Sequence, residues 1–440
     1  MKRKLNVYIC GSKAGVLSEN EQLQLSFQYR SAPQPGTQSA DSSPEKVPAL
    51  SVHLPVRAEE YNNAYAFPFF ENLIPEGEAF RILTKDHVSG NEVFSFLDRF
   101  GGDCAGAVAF FETASSSEYY NNLGDPMHEI SSAKVAQIID KLPEDPLLTS
   151  LENPPRLSLA GAQSKFAVCK FNGKYYRSND EHPTTHIIKI ANKRFTNLLE
   201  NELFCMRLSK IILLNTPVVE LKTVEGRPYL EIERFDRYIM NGLVHRVHQE
   251  DFCQALGIVS NKKYQTGGGA SLKDCFRVIE KFSGNLLIDI TRFIEWIIFN
   301  YLIGNTDAHA KNISLLHDKR GIRLAPFYDL LSTEVYPEKI VDHGIAMLIN
   351  GKGKYDSLKL NDFVALFEQL GLNATNMMKG IKNKFANIIS TAENLRESCF
   401  QESLINDEMP QKDISVYDDI IAIIKKRWGT INNLNNAEKK

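Results

Sequence analysis

Asn305-Thr306-Asp307-Ala308-His309-Ala310-Lys311-Asn312, followed downstream by Pro326-Phe327-Tyr328-Asp329, decides how the rest of this chain is read. Phosphoryl transfer asks for a carboxylate to orient the attacking hydroxyl. It also asks for an amide oxygen and a second carboxylate to hold the magnesium that bridges the phosphates. Asp307, Asn312 and Asp329 offer that set in that order, with His309 as a further candidate catalytic side chain. The offset of five residues from Asp307 to Asn312 is the one found in the protein-kinase catalytic loop, although the His-Arg-Asp triplet that opens that loop is absent. Asp-x-His patches also occur in metal hydrolases, and Asp and Asn in a loop are ordinary turn chemistry. The setting therefore has to discriminate.

Residues 293–303, Phe-Ile-Glu-Trp-Ile-Ile-Phe-Asn-Tyr-Leu-Ile, form an apolar run too long for a typical strand and read as a buried helix that Gly304 stops. A helix ending in a polar loop, then the short apolar segment 322–326 ahead of Asp329, suits two arms of a metal-binding cleft. Upstream, residues 158–165, Ser-Leu-Ala-Gly-Ala-Gln-Ser-Lys, are a small-residue loop running into a strand over 166–171 with Asn172-Gly173 as its turn. Small residues let backbone N–H groups approach phosphate oxygens, but one glycine without a Gly-x-x-x-x-Gly-Lys pattern is equally a surface turn. Thr185-His186-Ile187-Ile188-Lys189-Ile190 alternates as a strand and sets Lys189 among apolar neighbours. Phosphate or carboxylate pairing would explain that lysine; a solvent-facing lysine on an edge strand is the alternative. Residues 201–210 follow as a helix whose Glu202 could pair with Lys189, and the strand over 228–237 reads as a hinge with backbone groups free for an adenine.

Taken in order, Phe69-Phe70-Glu71-Asn72-Leu73-Ile74-Pro75-Glu76-Gly77, the 158–165 loop, Glu233-Arg234-Phe235-Asp236-Arg237, His248-Gln249-Glu250-Asp251, the 307–312 loop and Phe327-Tyr328-Asp329-Leu330-Leu331 resemble the HipA-type serine/threonine kinases, toxins of bacterial toxin–antitoxin pairs. The resemblance spans most of the chain. It implies Asp307 as the catalytic carboxylate, Asn312 and Asp329 as Mg2+ ligands, and an ATP site of Ala160, Gly161, Ala162, Gln163, Lys189, Glu233, Phe235 and Tyr328. Ser158 matches the serine that such kinases autophosphorylate to switch themselves off. Residue 164 is serine where the best-known member carries glutamate, so Ser164 is a second candidate acceptor. The resemblance further implies a HipB-like helix-turn-helix antitoxin as partner, contact with DNA only through it, and an aminoacyl-tRNA synthetase, first of all the glutamyl one, as substrate. A pseudokinase acting as corepressor with the antitoxin, and a small-molecule kinase, are the rival readings.

Composition agrees. A net charge of −3 argues against general nucleic-acid affinity, and 43% hydrophobic residues in 440 can fill a sizeable core. Seven cysteines without Cys-x-x-Cys spacing speak for reduced thiols in a cytoplasm and against a structural zinc site. Residues 1–11 read as a first strand rather than a signal peptide, and no apolar run is long enough to span a bilayer. The expected fold is α/β (α+β), protein-kinase-like and two-lobed: a β-rich N-terminal subdomain over 1–112, a nucleotide-binding lobe with linker over 113–240, and a helical lobe with the catalytic loop over 241–440. Residues 31–48 read as an inserted disordered loop, 113–125 as a polar linker, 133–142 as a short helix, 143–155 as a Pro-rich lead into the nucleotide lobe, and 432–440 as a frayed tail. Lys262-Lys263-Tyr264-Gln265-Thr266-Gly267-Gly268-Gly269 reads as too flexible to hold one conformation unaided, either a mobile substrate-facing loop or a disordered surface connection. Lys379, Lys382 and Lys384 form a basic patch that is either a solvated face or a DNA contact in a repressor complex.

Overall fold

The computed structural model describes residues 3–30, 49–76, 90–111, 128–145, 148, 161, 163–177, 183–192, 194–405 and 415–432. The expectations for 31–48, for 113–125 and for most of 143–155 fall outside these. The chain divides into two compact units: Met1–Ile188 with Arg234–Ser260 and Leu316–Arg320, and Lys189–Glu233 with Asn261–Leu315 and Gly321–Lys440. It mixes helix and sheet, as the pattern implied, and among the described residues no helix is long and apolar enough to cross a membrane.

In the first unit, strands β1 (Arg3–Ile9), β2 (Ser12–Glu19), β3 (Leu25–Tyr29) and β4 (Val108–Phe111) form a sheet in the order β3-β2-β1-β4. Alternation places Leu5, Val7 and Ile9 of β1 in the core, opposite Leu17 and Gly15 in the antiparallel register. Gly15 is needed there, because a Cβ would lie 2.3 Å from the Gln28 carbonyl oxygen. Helices α1 (Asn63–Glu71) and α2 (Glu92–Phe100) start at Asn62 and Asn91, whose side chains accept the first free N–H groups. They bury Phe69, Phe70, Phe94, Phe96 and Leu97 in the same core. α3 (Ser132–Lys141) follows, capped by Ser131, then β5 (Lys165–Phe171) turning at Asn172-Gly173 into β6 (Lys174–Tyr176). Both turn residues have positive φ, 47° and 78°, as a two-residue hairpin requires.

Further along come the hairpin β10 (Arg237–Met240) and β11 (Leu243–Arg246), strand β12 (His248–Asp251), and the short helix α5 (Phe252–Leu256), opened by an Asp251/Gln254 capping box. The stretch read as a hinge contributes buried charge here. Asp103 accepts from Arg237 Nη2 at 2.8 Å and from the Thr184 N–H at 2.7 Å, while Asp236 receives Arg234 Nη2 at 2.8 Å and the Gly106 N–H at 2.7 Å. Burial opposes the charge on Asp103, but Arg246, Arg237 and Arg234 hold its carboxyl well below the usual carboxylate range.

The second unit carries the hairpin β8 (Val219–Val224) and β9 (Arg227–Glu233) and the helices α4 (Leu198–Ile211), α6 (Leu272–Phe282), α7 (Leu286–Ile303), α8 (Leu360–Gln369), α9 (Ala374–Lys384), α10 (Ile388–Ile405) and α11 (Ser415–Asn432). α7 packs against α6 and α11, and α4 against α10 and α11; within the apolar run 293–303 every residue but Glu295 is buried. Strand β7 (His186–Ile190) and strand β13 (Ser314–Asp318) each begin in one unit and end in the other, and β14 (Gly321–Leu324) follows.

Three expectations are corrected. The stretch 241–440 is not purely helical, because β11, β12, β13 and β14 lie within it; short strands of four or five residues leave little periodicity to read. Asn432 closes α11 rather than opening a frayed tail. Lys384 is engaged within the unit, its Nζ 3.6 Å from Glu295 and 3.3 Å from the Leu213 carbonyl oxygen, which removes it from a free basic patch.

Candidate active site

The second unit builds its polar loop on the end of α7. Gly304 takes a left-handed conformation at φ 71° and returns its N–H to Asn300 and Tyr301, ending the helix. Asn305 then repeats the contact twice, backbone N–H to the Asn300 carbonyl at 2.9 Å and Nδ2 to Asn300 Oδ1 at 2.7 Å. Its own Oδ1 accepts the Asp307 N–H at 3.1 Å, and its carbonyl accepts Tyr355 Oη–H at 2.8 Å. Thr306 is held through Thr333 Oγ1 at 2.7 Å and through the Ala346 N–H at 2.9 Å. Asp307 thus stands on a backbone whose groups are bonded on both sides, with a side chain 44% exposed.

The Asp307 carbonyl accepts the His309 N–H at 2.8 Å and Asn312 Nδ2 at 3.0 Å. Spending the amide nitrogen inward fixes the rotamer of Asn312 and leaves its Oδ1 as the atom that can serve a hard cation. His309 is 4% exposed; its Nε2 lies 3.9 Å from Asp307 Oδ2, an ion-pair distance too long for a hydrogen bond. Of the two readings of the Gly-rich loop, the disordered connection is corrected here. One 3-10 turn, Ser260–Lys262, leads into this loop and a second, Gln265–Gly267, lies within it, held because Gln265 gives its N–H to the Ala346 carbonyl and takes the Leu348 N–H on its side chain at 2.7 Å. Tyr264, on that loop, donates its hydroxyl to Asp307 Oδ1 at 2.6 Å.

Lys189, near the end of β7, places Nζ 2.6 Å from Glu202 Oε1 and 2.6 Å from Asp329 Oδ1. Burial works against its charge, yet the two carboxylates raise its pKa above the ordinary lysine value, so it stays an ammonium. Glu202 comes from α4, and its neighbour Asn201 ties that helix to the segment after Asp329 through a reciprocal pair, Nδ2 to the Ser332 carbonyl at 2.7 Å and the Ser332 N–H to Oδ1 at 2.8 Å. Asp329 itself is left-handed at φ 58°, a conformation aspartate tolerates better than most residues. One residue before it, Tyr328 donates its hydroxyl to the Lys311 carbonyl at 2.6 Å and meets Ser314 Oγ at 2.7 Å. The hydroxyl expected to serve nucleotide therefore laces the Asp329 segment to the Asn312 turn.

The remaining candidates are carried by other segments. Gly161 sits at φ 102° in a parallel bridge with Pro75, where a Cβ would come 2.6 Å from Lys165 Nζ. Gln163 and Ser164 are half-buried, whereas Ser158, Ala160 and Ala162 fall outside the described residues. Glu233 is exposed and Phe235 half-buried. Along the stretch read as a hinge, the Glu233 N–H is spent on the Val218 carbonyl at 3.0 Å and the Arg234 N–H on the Thr185 carbonyl at 2.9 Å, so these two amides are not free for an adenine. Sequence reasoning missed Asn201, Tyr264, Thr333 and Tyr355, none of which carries a motif of its own.

Asn312 Oδ1 and the Asp329 carboxylate are both hard oxygen donors, on segments laced together by Tyr328, and this donor set suits Mg2+ completed by phosphate and water oxygens.

Known proteins give the chain a family. Residues 157–394 match the HipA-like C-terminal domain and residues 5–111 the HipA N-terminal domain. A provisionally named kinase of Sinorhizobium fredii is 37% identical over 395 residues, covering 89% of this chain and 90% of its own. The serine/threonine-protein kinase toxin HipA of Shewanella oneidensis is 30% identical over 367 residues, 77% of this chain and 81% of that one. The solved complex of Shewanella oneidensis HipA with HipB and operator DNA contains a chain that superposes with a TM-score of 0.78 at 23% identity, covering 97% of this chain and 96% of that one, a likeness of fold. With both domain matches in order and two relatives aligned over most of their length, this chain belongs to the HipA family.

Proposed function

We propose that this protein is an ATP- and Mg2+-dependent serine/threonine-protein kinase, the toxin of a toxin–antitoxin pair. The observation that carries the reading is Lys189, buried and shared between Glu202 and Asp329, in the same unit as the braced Asp307–Asn312 loop. A buried lysine with two carboxylates is costly to build for packing alone. It is what a phosphate-gripping lysine needs to remain charged and aimed.

Bound Mg2+–ATP would supply the activated phosphoryl group and the charge neutralisation its transfer requires. The residues do the rest by position. Asp307 accepts the proton-bearing side of a serine or threonine hydroxyl and orients it; Lys189 holds a phosphate oxygen; Asn312 and Asp329 offer the oxygens for the cation. The bonded backbone of 304–307 keeps Asp307 from relaxing away. By family likeness the partner is a small HipB-like DNA-binding antitoxin, and the substrate an aminoacyl-tRNA synthetase, the glutamyl enzyme before others. Ser158 serves as the off-switch: a phosphate there brings about −1.5 to −2 charges to a loop meant for the phosphates of ATP.

Incubating a cell lysate with the protein, Mg2+ and heavy-labelled ATP, then mapping label by mass spectrometry, tests the reading. Label should appear on serine or threonine of a discrete protein, and be absent with Asp307→Ala or Asp329→Ala. Near wild-type labelling by either folded variant would show that the centre lies elsewhere.

A further inference from the structure

The carboxylate of Asp307 already holds a hydroxyl. Tyr264 Oη donates to Asp307 Oδ1 at 2.6 Å, the length of a charge-assisted O–H···O bond, and its ring stands edge-on to His309 with centroids 5.4 Å apart. An orienting carboxylate in a phosphotransferase engages the acceptor hydroxyl through this same contact. We propose that Tyr264 is the acceptor-site gate of this protein: its hydroxyl occupies the place on Asp307 that the acceptor hydroxyl takes, and every acceptor must displace it. The inference rests on Asp307 being the hydroxyl-orienting carboxylate.

The backbone under Tyr264 is built to hold it there. Its carbonyl accepts the Gly267 and Gly269 N–H groups at 3.0 Å each, and Gln265 beside it is bonded on both main chain and side chain to the 346–348 segment. At Gly269 a Cβ would fall 2.0 Å from the Lys262 carbonyl oxygen, so the turn closes only on glycine. The backbone is fixed while Tyr264 as a residue is 38% exposed and the Asp307 side chain 44% exposed, so rotation about the tyrosine side-chain bonds vacates the carboxylate without unfolding the loop.

The arrangement discriminates between acceptors. A protein serine or threonine brings further contacts and can displace the tyrosine; a lone water cannot easily do so. With the hydroxyl in place, attack of water on the γ-phosphoryl group is suppressed. In that side reaction the bond to the ADP oxygen breaks, water oxygen bonds to phosphorus, its proton leaves through Asp307, and ADP and phosphate are released.

The test uses the full chain with Mg2+–ATP, and dephosphorylated casein as a stand-in acceptor. Tyr264→Phe should raise ATP hydrolysis without acceptor by roughly three- to tenfold, the worth of one half-exposed hydrogen bond to a charged group. The casein KM should fall by a similar factor, with the gain in KM rather than kcat. In parallel, O-acetylation of Tyr264 by N-acetylimidazole, mapped by mass spectrometry, should be severalfold faster in Asp307→Ala than in wild type. Unchanged or lowered hydrolysis together with an unchanged KM in Tyr264→Phe overturns the gate while leaving the kinase reading standing. Equal acetylation in wild type and Asp307→Ala overturns it whatever the turnover. Turnover in Asp307→Ala equal to wild type removes the role of Asp307, and the gate falls with it.

Discussion

Glu202→Gln should destabilise the second unit by about 2 kcal/mol, more than Asp329→Asn does, although both substitutions remove one carboxylate from Lys189. Each carboxylate lies 2.6 Å from Nζ, so distance alone predicts no difference. Exposure does: the Glu202 side chain is 1% exposed and that of Asp329 36%. Stripping the partner from a buried charge costs about 3–5 kcal/mol, and the carboxylate left on Lys189 brings this toward the 1.5–3 kcal/mol of a charge-assisted bond. For Asp329, water screens the pair and the expected cost is about 0–1 kcal/mol. Both tryptophans, Trp296 and Trp428, belong to the second unit, so urea unfolding followed by their fluorescence reads that unit directly. Lys189→Met combined with Glu202→Gln should recover much of the loss, since the buried ammonium left short of a countercharge is then gone. If Asp329→Asn proved as damaging as Glu202→Gln, the argument from burial would be refuted.

Gly304→Ala should cost about 2 kcal/mol by the same fluorescence assay, combining the left-handed penalty with a Cβ 2.7 Å from Glu334 Oε2, an oxygen held by Arg427. A loss under half a kcal/mol would mean that the helix end relaxes freely. The first unit should weaken in mild acid through His248, whose pKa burial and the neighbouring His317 push down to about 4. Glu250 and Asp236 oppose that shift and do not overcome it. Neutral in the fold and protonated when unfolded, it contributes stability that is present above the unfolded pKa near 6.5 and is lost as pH falls toward 4, about 2 kcal/mol by pH 5. His248→Gln should flatten the dependence of the first unit's unfolding midpoint between pH 7 and 5; an unaltered slope would place the proton elsewhere.

Much of the second unit was legible because its signals are local. An unbroken apolar run ending in Gly304 makes α7 and its stop readable, and Lys189 ahead of a helix bearing Glu202 makes their pair readable from order alone. The Gly-rich loop was misjudged for the opposite reason. Its own composition argues for disorder, and the bonds that hold it come from Ala346 and Leu348, about eighty residues away. The engagement of the Glu233 amide was hidden in the same way, because its partner is Val218 across a hairpin. Arg234 and Arg237 carry charges that ordinarily face water, and nothing beside them announces that Asp103, more than a hundred residues earlier, draws them inside.

The interleaving of the two units sets the order in which the protein can be completed during synthesis. Residues 1–188 leave the ribosome first, but the first unit also needs 234–260 and 316–320, and it cannot close its contacts until the last of these has emerged. At elongation rates of about 5–20 residues per second that is a wait of roughly 7–26 s, during which an unfinished β-rich unit and growing pieces of the other coexist. Neither unit can be excised as one continuous fragment. A nascent chain that stops anywhere from residue 312 to residue 328 would carry Asp307 and Asn312 but lack Asp329, and so be without the second carboxylate of the candidate centre.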